Sequence, residues 1–268
     1  MNTYPEDLFE SIEFDLVKKA VAKRAVTERA RVRINELKPS SDFKVATRDL
    51  QEVHEILGLY LSEFPVPALA AEDIKPFLVR LKIQGATLEG EDFLIIKNMI
   101  ESFNRVYTFF KTHADRTPSI QDKLAHLEKN KTVPDEIDRV LDRRGVVKTS
   151  ASPALGKIRA NLAKKRAAAD RIFYRAVKKY SGSGILADTQ ESVHDNKRVL
   201  AVEGAFKGQV NGIFHGSSSK ATIFYVEPSE TLEINNEISV LEDEEKREVP
   251  LRRLKCLKFP IFSFMKTM

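Results

Sequence analysis

The chain of 268 residues has a single cysteine, Cys256, so it can form no internal disulfide and no cysteine-built zinc site. It has no apolar run approaching the roughly 18 residues that cross a bilayer, which removes a membrane partner from the expected list. Its opening, "MNTYPEDLFESIEFDL", lacks a basic stretch followed by an apolar one, so the expected location is cytoplasmic. Histidines are few, and His194, Asp195 and His215 match no metal-ligand spacing. His215, Ser217 and Glu227 have the residue types of a hydrolytic triad. A triad needs its nucleophile on a constrained elbow beside an oxyanion hole, whereas Ser217–Ser219 read as a plain turn. The expectation is therefore a chain with no catalytic, metal or cofactor-binding residues.

Charge is what the sequence has, and it is sorted by segment. The net charge of +5 favours an anionic partner. Ala154–Tyr180 carries nine Lys or Arg residues and one Asp, while Ser229–Glu248 carries eight Asp or Glu and two basic residues. A simple solvated globule does not require that separation.

Periodicity supplies the elements. Residues 1–63 read as helical. "EDLFESIEFDLVKKAVAKRAV" places Leu8, Ile12, Leu16, Ala20 and Val21 at helical spacing. Pro39 ends one helix, and Ser41 or Asp42 can cap the next, whose apolar face carries Val45, Leu50, Val53, Ile56, Leu57 and Leu61. "SEFPVPALAAEDIKP" reads as a connector. Leu94, Ile95, Met99, Phe103, Tyr107 and Phe110 then form a strong helical stripe, so Phe103, Tyr107, Phe109 and Phe110 are expected in a core rather than stacked on bases. Two shorter helices broken at Pro134 follow. Ser152-Pro153 is a helix entry, because proline is tolerated in a first turn. The helix after it has a seam of Leu155, Ile158, Leu162, Ala169, Ile172 and Ala176, and Gly182 and Gly184 end it.

Four short strands are expected at Asp188–Val193, Arg198–Val202, Val210–His215 and Ala221–Val226, with "HDNK" and "GSSSK" as hairpin turns. The recurrence of Gly204, Gly208 and Gly212 reads as turns rather than a helix-packing motif, since Lys207, Gln209 and Asn211 lie between them. Asn235-Asn236 is expected to cap or cross-link the start of the acidic helix. The fold class is mainly α with a small antiparallel β-subdomain (α+β), carried on two antiparallel helical arms.

"SASPALGKIRANLAKKR", followed by "VHDNKRVLAVEGAFKGQVNGIFHGSSSKATIFYVEPSETLEINNEI", resembles the lever and clamp region of the MutS superfamily. It looks most like the second bacterial subfamily, which lacks the mismatch-reading domain. "IEFDLV" (Ile12–Val17) and "LKPS" (Leu37–Ser40) add to the likeness, which covers roughly residues 8 to 248. The resemblance implies a helical core and lever over 1–150, an ascending arm over 151–184, a β clamp over 185–228 and a returning arm over 229–249. Residues 250–268 depart from the pattern, and Pro250 and Pro260 are expected to break the returning helix. Full-length members continue into an ATPase that uses ATP and Mg2+. This chain has no G-x-x-x-x-G-K-[ST] loop, so the resemblance implies a truncated, non-catalytic module without those cofactors.

The implied partner is DNA, duplex or branched, or else ribosomal RNA, with a homodimer as a further expectation. The β-tip is expected to touch nucleic-acid phosphate through Lys197, Arg198, Lys207, Ser217, Ser218 and Lys220, helped by Lys164, Lys165 and Arg166 on the basic arm. Two bland readings stand beside this one: a solvated helix face partly neutralised by the acidic arm, and a polar turn with no ligand. The competing function is a helical interaction module that binds a partner helix or a second copy and no nucleic acid.

Overall fold

The computed structural model describes residues 7–38, 40–69, 72–83 and 86–267, with side chains up to residue 250. The expected helix stop at Pro39 lies outside the described residues. The chain divides into two compact units, Met1–Lys148 with Arg253–Met268, and Thr149–Arg252.

The first unit is helical: α1 (Leu8–Ser11), α2 (Phe14–Ala22), α3 (Glu28–Asn35), α4 (Phe43–Leu61), α5 (Lys75–Leu81), α6 (Gly90–Thr112), α7 (Pro118–Leu124) and α8 (Thr132–Val140). The opening segment is two helices rather than one, because Glu13 takes a left-handed φ of 51° between α1 and α2. Asp42 caps α4, its carboxylate accepting from the Lys44 and Val45 amides at 2.8 and 3.3 Å. The segment read as a connector carries no helix over its described residues 62–69 and 72–74, and α5 starts only at its last two residues, with Pro76 in the first turn.

The core forms around α6. A reciprocal capping box of Glu89 and Asp92 starts it, and it buries Phe93, Ile96, Ile100 and Phe110. Phe110 packs with Leu59, Ile120 and Leu124, and Tyr107 and Phe109 lie against that cluster. Phe110 is thus core and Tyr107 and Phe109 border it, as their spacing indicates. Phe103, Leu94, Ile95 and Met99 are only half-buried, and the buried face runs through Phe93, Ile96 and Ile100 instead. Pro134 does not separate two helices. It sits inside the first turn of α8, where backbone N–H groups have no intrahelical acceptor and a missing donor costs nothing. α4 departs further. It buries Leu59 and Glu55 while Leu50, Val53, Ile56, Leu57 and Leu61 stay exposed, because the helices it meets lie on the Glu55 side, where the Ser119 amide donates to Glu55 Oε1 at 3.1 Å.

The second unit holds α9 (Pro153–Ser181), the strands β1 (Leu186–His194), β2 (Lys197–Glu203), β3 (Gly212–Ser217) and β4 (Ile223–Pro228), and the start of α10 (Ser229–Thr267). Ser152 caps α9 by accepting from the Leu155 amide at 3.0 Å, with Pro153 as the first helical residue. The strands form one antiparallel sheet in the order β1-β2-β4-β3. Asp195 and Asn196, both with positive φ, make the two-residue β1–β2 turn. Gly204–Gln209 is a 3-10 segment. Gly212 must be glycine, since a Cβ there would overlap the Glu227 carbonyl.

One face of the sheet packs on α9: Leu200, Val202 and Val226 bury against Phe173, Ala176 and Tyr180. α9 and α10 run antiparallel, because their polar links fall in reversed order. Ser152 bonds Glu248, Arg159 pairs with Glu245, Arg166 with Glu242, Lys165 with Glu237, and Lys179 with Glu230. The expected break at Pro250 does not occur, and α10 continues through Pro250 and Pro260 to Thr267. An interior proline costs about 3 kcal/mol and kinks a helix, which need not end one whose flanking residues continue it.

Candidate nucleic-acid interface

Pairing register decides which turns of the sheet are free. β1 turns back along α9, so that the Asp195-Asn196 turn lines a recess with Arg166, Asp170 and Phe173 of α9 and Asn235 of α10. This end of the sheet is therefore proximal, held against the helices. The opposite end gathers the start of β1, the Gly204–Gln209 segment and the turn between β3 and β4, where the Gly204 amide donates to the Thr222 carbonyl at 2.8 Å. That distal end is the exposed tip.

The residues singled out from the sequence divide accordingly. Lys207, Ser217, Ser218 and Lys220 come together at the distal end. Ser217, Lys207 and Lys220 are exposed. The Lys207 ammonium stands 5.0 Å over the Phe224 ring. Ser218 Oγ accepts from the Ile223 amide at 3.1 Å, which shapes the turn. Asp188 and Glu203 line a recess at this same end, so its charge is nearly balanced.

Lys197 and Arg198 are proximal and engaged. Arg198 pairs with Asp170 at 2.9 Å and with Glu191, and its guanidinium lies 4.6 and 4.4 Å over the rings of Phe173 and Tyr174. Burial opposes its charge, but bonds to Tyr174, Asp170 and Glu191 outweigh it and raise the pKa above the ordinary arginine value. Lys197 reaches a carboxylate that no solvent touches.

That carboxylate is Glu227, 0% exposed. Asn235 Nδ2 donates to Oε1 at 2.7 Å, and Lys197 Nζ and His215 Nε2 donate to Oε2 at 3.2 and 2.7 Å. Burial raises its pKa, and the bonds from Asn235, His215 and Lys197 outweigh burial, leaving it lowered. An irregularity between Phe214 and Gly216 offsets His215 from the β3–β4 register. His215 and Glu227, whose residue types suggested a triad that the sequence argued against, do meet in space. Ser217 does not join it, and Asn235 and Lys197 complete the hub instead. Asn235 does cross-link the start of α10, as its position indicated. Among the described residues, no group of three or more His, Cys, Asp or Glu side chains is placed to hold a metal, and no helix is long and apolar enough to cross a membrane.

On the basic arm, Lys165 and Arg166 pair with Glu237 and Glu242, while Lys164 is exposed and has no ion pair among the described residues. The sequence reading missed that Lys157, Arg171, Arg175 and Lys178 share this exposure. The signal was present as the seven-residue interval from Lys157 to Lys164, Arg171 and Lys178.

No protein-family model matches the chain. It is similar to proteins named Endonuclease MutS2. That of Staphylococcus carnosus is 29% identical over 244 residues, 89% of this chain and 31% of that protein. That of Clostridium beijerinckii is 28% identical over 240 residues, 89% of this chain and 30% of that protein. The Geobacillus sp. protein is 26% identical over 241 residues, 89% of this chain and 31% of that protein. The chain therefore spans about a third of the length of the curated relatives it matches.

Proposed function

We propose that the chain is the nucleic-acid-binding lever and clamp portion of a MutS2-type protein, gripping duplex or branched DNA by its phosphates and performing no chemistry itself. The observation that carries this reading is the similarity to proteins named Endonuclease MutS2 over 89% of the chain. The arrangement of Thr149–Arg252 supports it, since a small sheet borne on paired helices presents a turn of hydroxyls and lysines at its free end. Lys207, Lys220, Ser217 and Ser218 make the distal contact, and Lys164 adds one from the arm. Lys197, Arg198, Lys165 and Arg166 hold the scaffold and contribute little to the ligand. ATP and Mg2+ belong to the parts of such a protein beyond this chain, and ribosomal RNA is an alternative ligand of the same phosphate chemistry.

The test is fluorescence anisotropy of labelled duplex, four-way junction and structured RNA with the whole chain. Replacing Lys207 and Lys220 by glutamine should flatten the dependence of log K on log salt by about 2 units, while Lys197→Gln leaves that slope unchanged. Binding that is strong at low salt and indifferent to Lys207 and Lys220 would sink the distal contact.

A second reading has its own observation. On α4, Phe43, Leu50 and Leu57 are exposed at one seven-residue interval, and Val53 and Tyr60 at another, the pattern of an unpartnered coiled-coil seam. Self-association that persists at high salt, with no nucleic-acid binding, would put a helical interaction module or homodimer first.

A further inference from the structure

The cations of α9 fall into two sets with different surroundings. Arg159, Lys165, Arg166 and Lys179 are each paired with a carboxylate of α10. Lys157, Lys164, Arg171, Arg175 and Lys178 are exposed, and no ion pair involves any of them among the described residues. At roughly 100° per residue, those five fall within an arc of about 60°. The opposite side of the helix carries the buried Leu155, Leu162, Phe173 and Tyr180. The one acidic residue of α9, Asp170, lies off this arc and is held by Arg198. The outer face of α9 is thus a straight row of five cations with no anion among them. From Lys157 to Lys178 it extends about 32 Å at roughly 1.5 Å per residue.

We infer that this row is a second contact surface for the phosphate backbone of a nucleic acid, and that it supplies most of the electrostatic affinity. The inference rests on the proposed function and extends it from the tip to the arm. The distal turn alone is poorly suited to that task, because Lys207 and Lys220 share their end of the sheet with Asp188 and Glu203. The row has no such balance. Its rigidity also selects the ligand. A duplex is stiff over about 150 base pairs and carries one charge per roughly 1.7 Å of axis, so it meets a straight row without being reshaped. A flexible acidic peptide must be ordered residue by residue to do the same. Pairing of the inner cations with α10 serves the row by fixing the rotation of α9, which keeps Lys157, Lys164, Arg171 and Lys178 on the outside.

The experiment uses the whole chain and a short labelled duplex between about 50 and 200 mM salt. Lys157, Lys164, Arg171 and Lys178 are replaced together by glutamine, a good helix former. The salt slope should fall by about 3.6 units, with affinity at low salt reduced at least about tenfold. The helical circular dichroism and thermal midpoint should stay at parent values. A companion variant with arginine at Lys157, Lys164 and Lys178 should keep the parent slope, since charge and not identity is at issue. If the glutamine variant keeps the parent slope while Lys207→Gln/Lys220→Gln loses affinity, the row is only a solvated face and the proposed function survives. If neither variant changes binding, both fall. If polyglutamate of matched charge competes as well as duplex for the parent, the surface belongs to an acidic protein partner and the nucleic-acid assignment is overturned.

Discussion

At the scale of single residues, Glu227 is the point on which the sheet and its helix depend. It closes β4, sits without solvent exposure, and receives donors from β2, β3 and α10. Removing it leaves the Lys197 ammonium and the Asn235 amide without their acceptor. Truncating one partner of a buried charged pair costs about 3–5 kcal/mol, so Glu227→Ala should lose about 3 kcal/mol in urea unfolding. The pH dependence follows from the lowered pKa. A carboxyl held below its unfolded value contributes stability that is fully present above the ordinary 4.5 and is lost as pH falls through the folded value. Parent stability should therefore drop on acidification below about 4.5, and the drop should be shallower in Glu227→Gln. An equally steep acid limb in that variant would mean that other carboxylates control it. The sequence displayed His215 and Glu227 as chemically suited partners. It did not display their use, because register, a bulge and the first turns of the following helix decide which groups converge. Gly212 is of the same kind: it reads as a turn glycine, yet its constraint is the close passage of the Glu227 carbonyl.

At the scale of elements, α9 carries both buried apolar residues and a ladder of ion pairs to α10, and magnitudes decide which contributes more to stability. Leu162 is 3% exposed, and deleting such a side chain to alanine costs about 2–5 kcal/mol. Lys165 and Glu237 are each well exposed, and pairs of that kind contribute about 0.2–1 kcal/mol. Leu162→Ala should lower the denaturation midpoint clearly while Lys165→Ala barely moves it, and raising salt should leave the difference between them intact. The opposite ranking would make the ion pairs the larger contribution. Elements were legible here to the extent that local chemistry decides them. The Ser152-Pro153 entry, the Asp42 cap, the long helix α6 and four strands with their first hairpin were all visible as pattern. What was not visible depended on partners. Prolines at 134 and 250 read as breaks, but the first falls where no N–H is needed and the second within a helix that continues. The stripe of Leu50, Val53 and Leu57 reads as a core face, yet the neighbouring helices lie on another side of α4.

At the scale of the whole chain, charge was legible as amount and not as direction. A basic segment before the β-element and an acidic one after it predicted attraction between arms. Only the helical rotation divides the basic residues into an inner set, paired with α10, and an outer row that has no ion pair among the described residues. The same scale sets what the isolated chain should do. It spans about a third of relatives named as endonucleases, and it contains no phosphate-binding glycine loop. Binding by a charged face needs no more than that face, whereas phosphoryl transfer needs a cradle for the phosphates and a positioned metal ion, and strand cleavage needs an activated nucleophile at a bound phosphate. The purified chain should therefore bind duplex DNA in a steeply salt-dependent manner while releasing no phosphate from ATP and leaving a supercoiled plasmid uncut. Binding, phosphate release and plasmid nicking should be read on one preparation, so that inactivity is not mistaken for misfolding. ATP should not change the affinity for duplex. Phosphate release or nicking that co-purifies with the chain and is lost in a variant of its own residues would show that this region carries chemistry as well as contact.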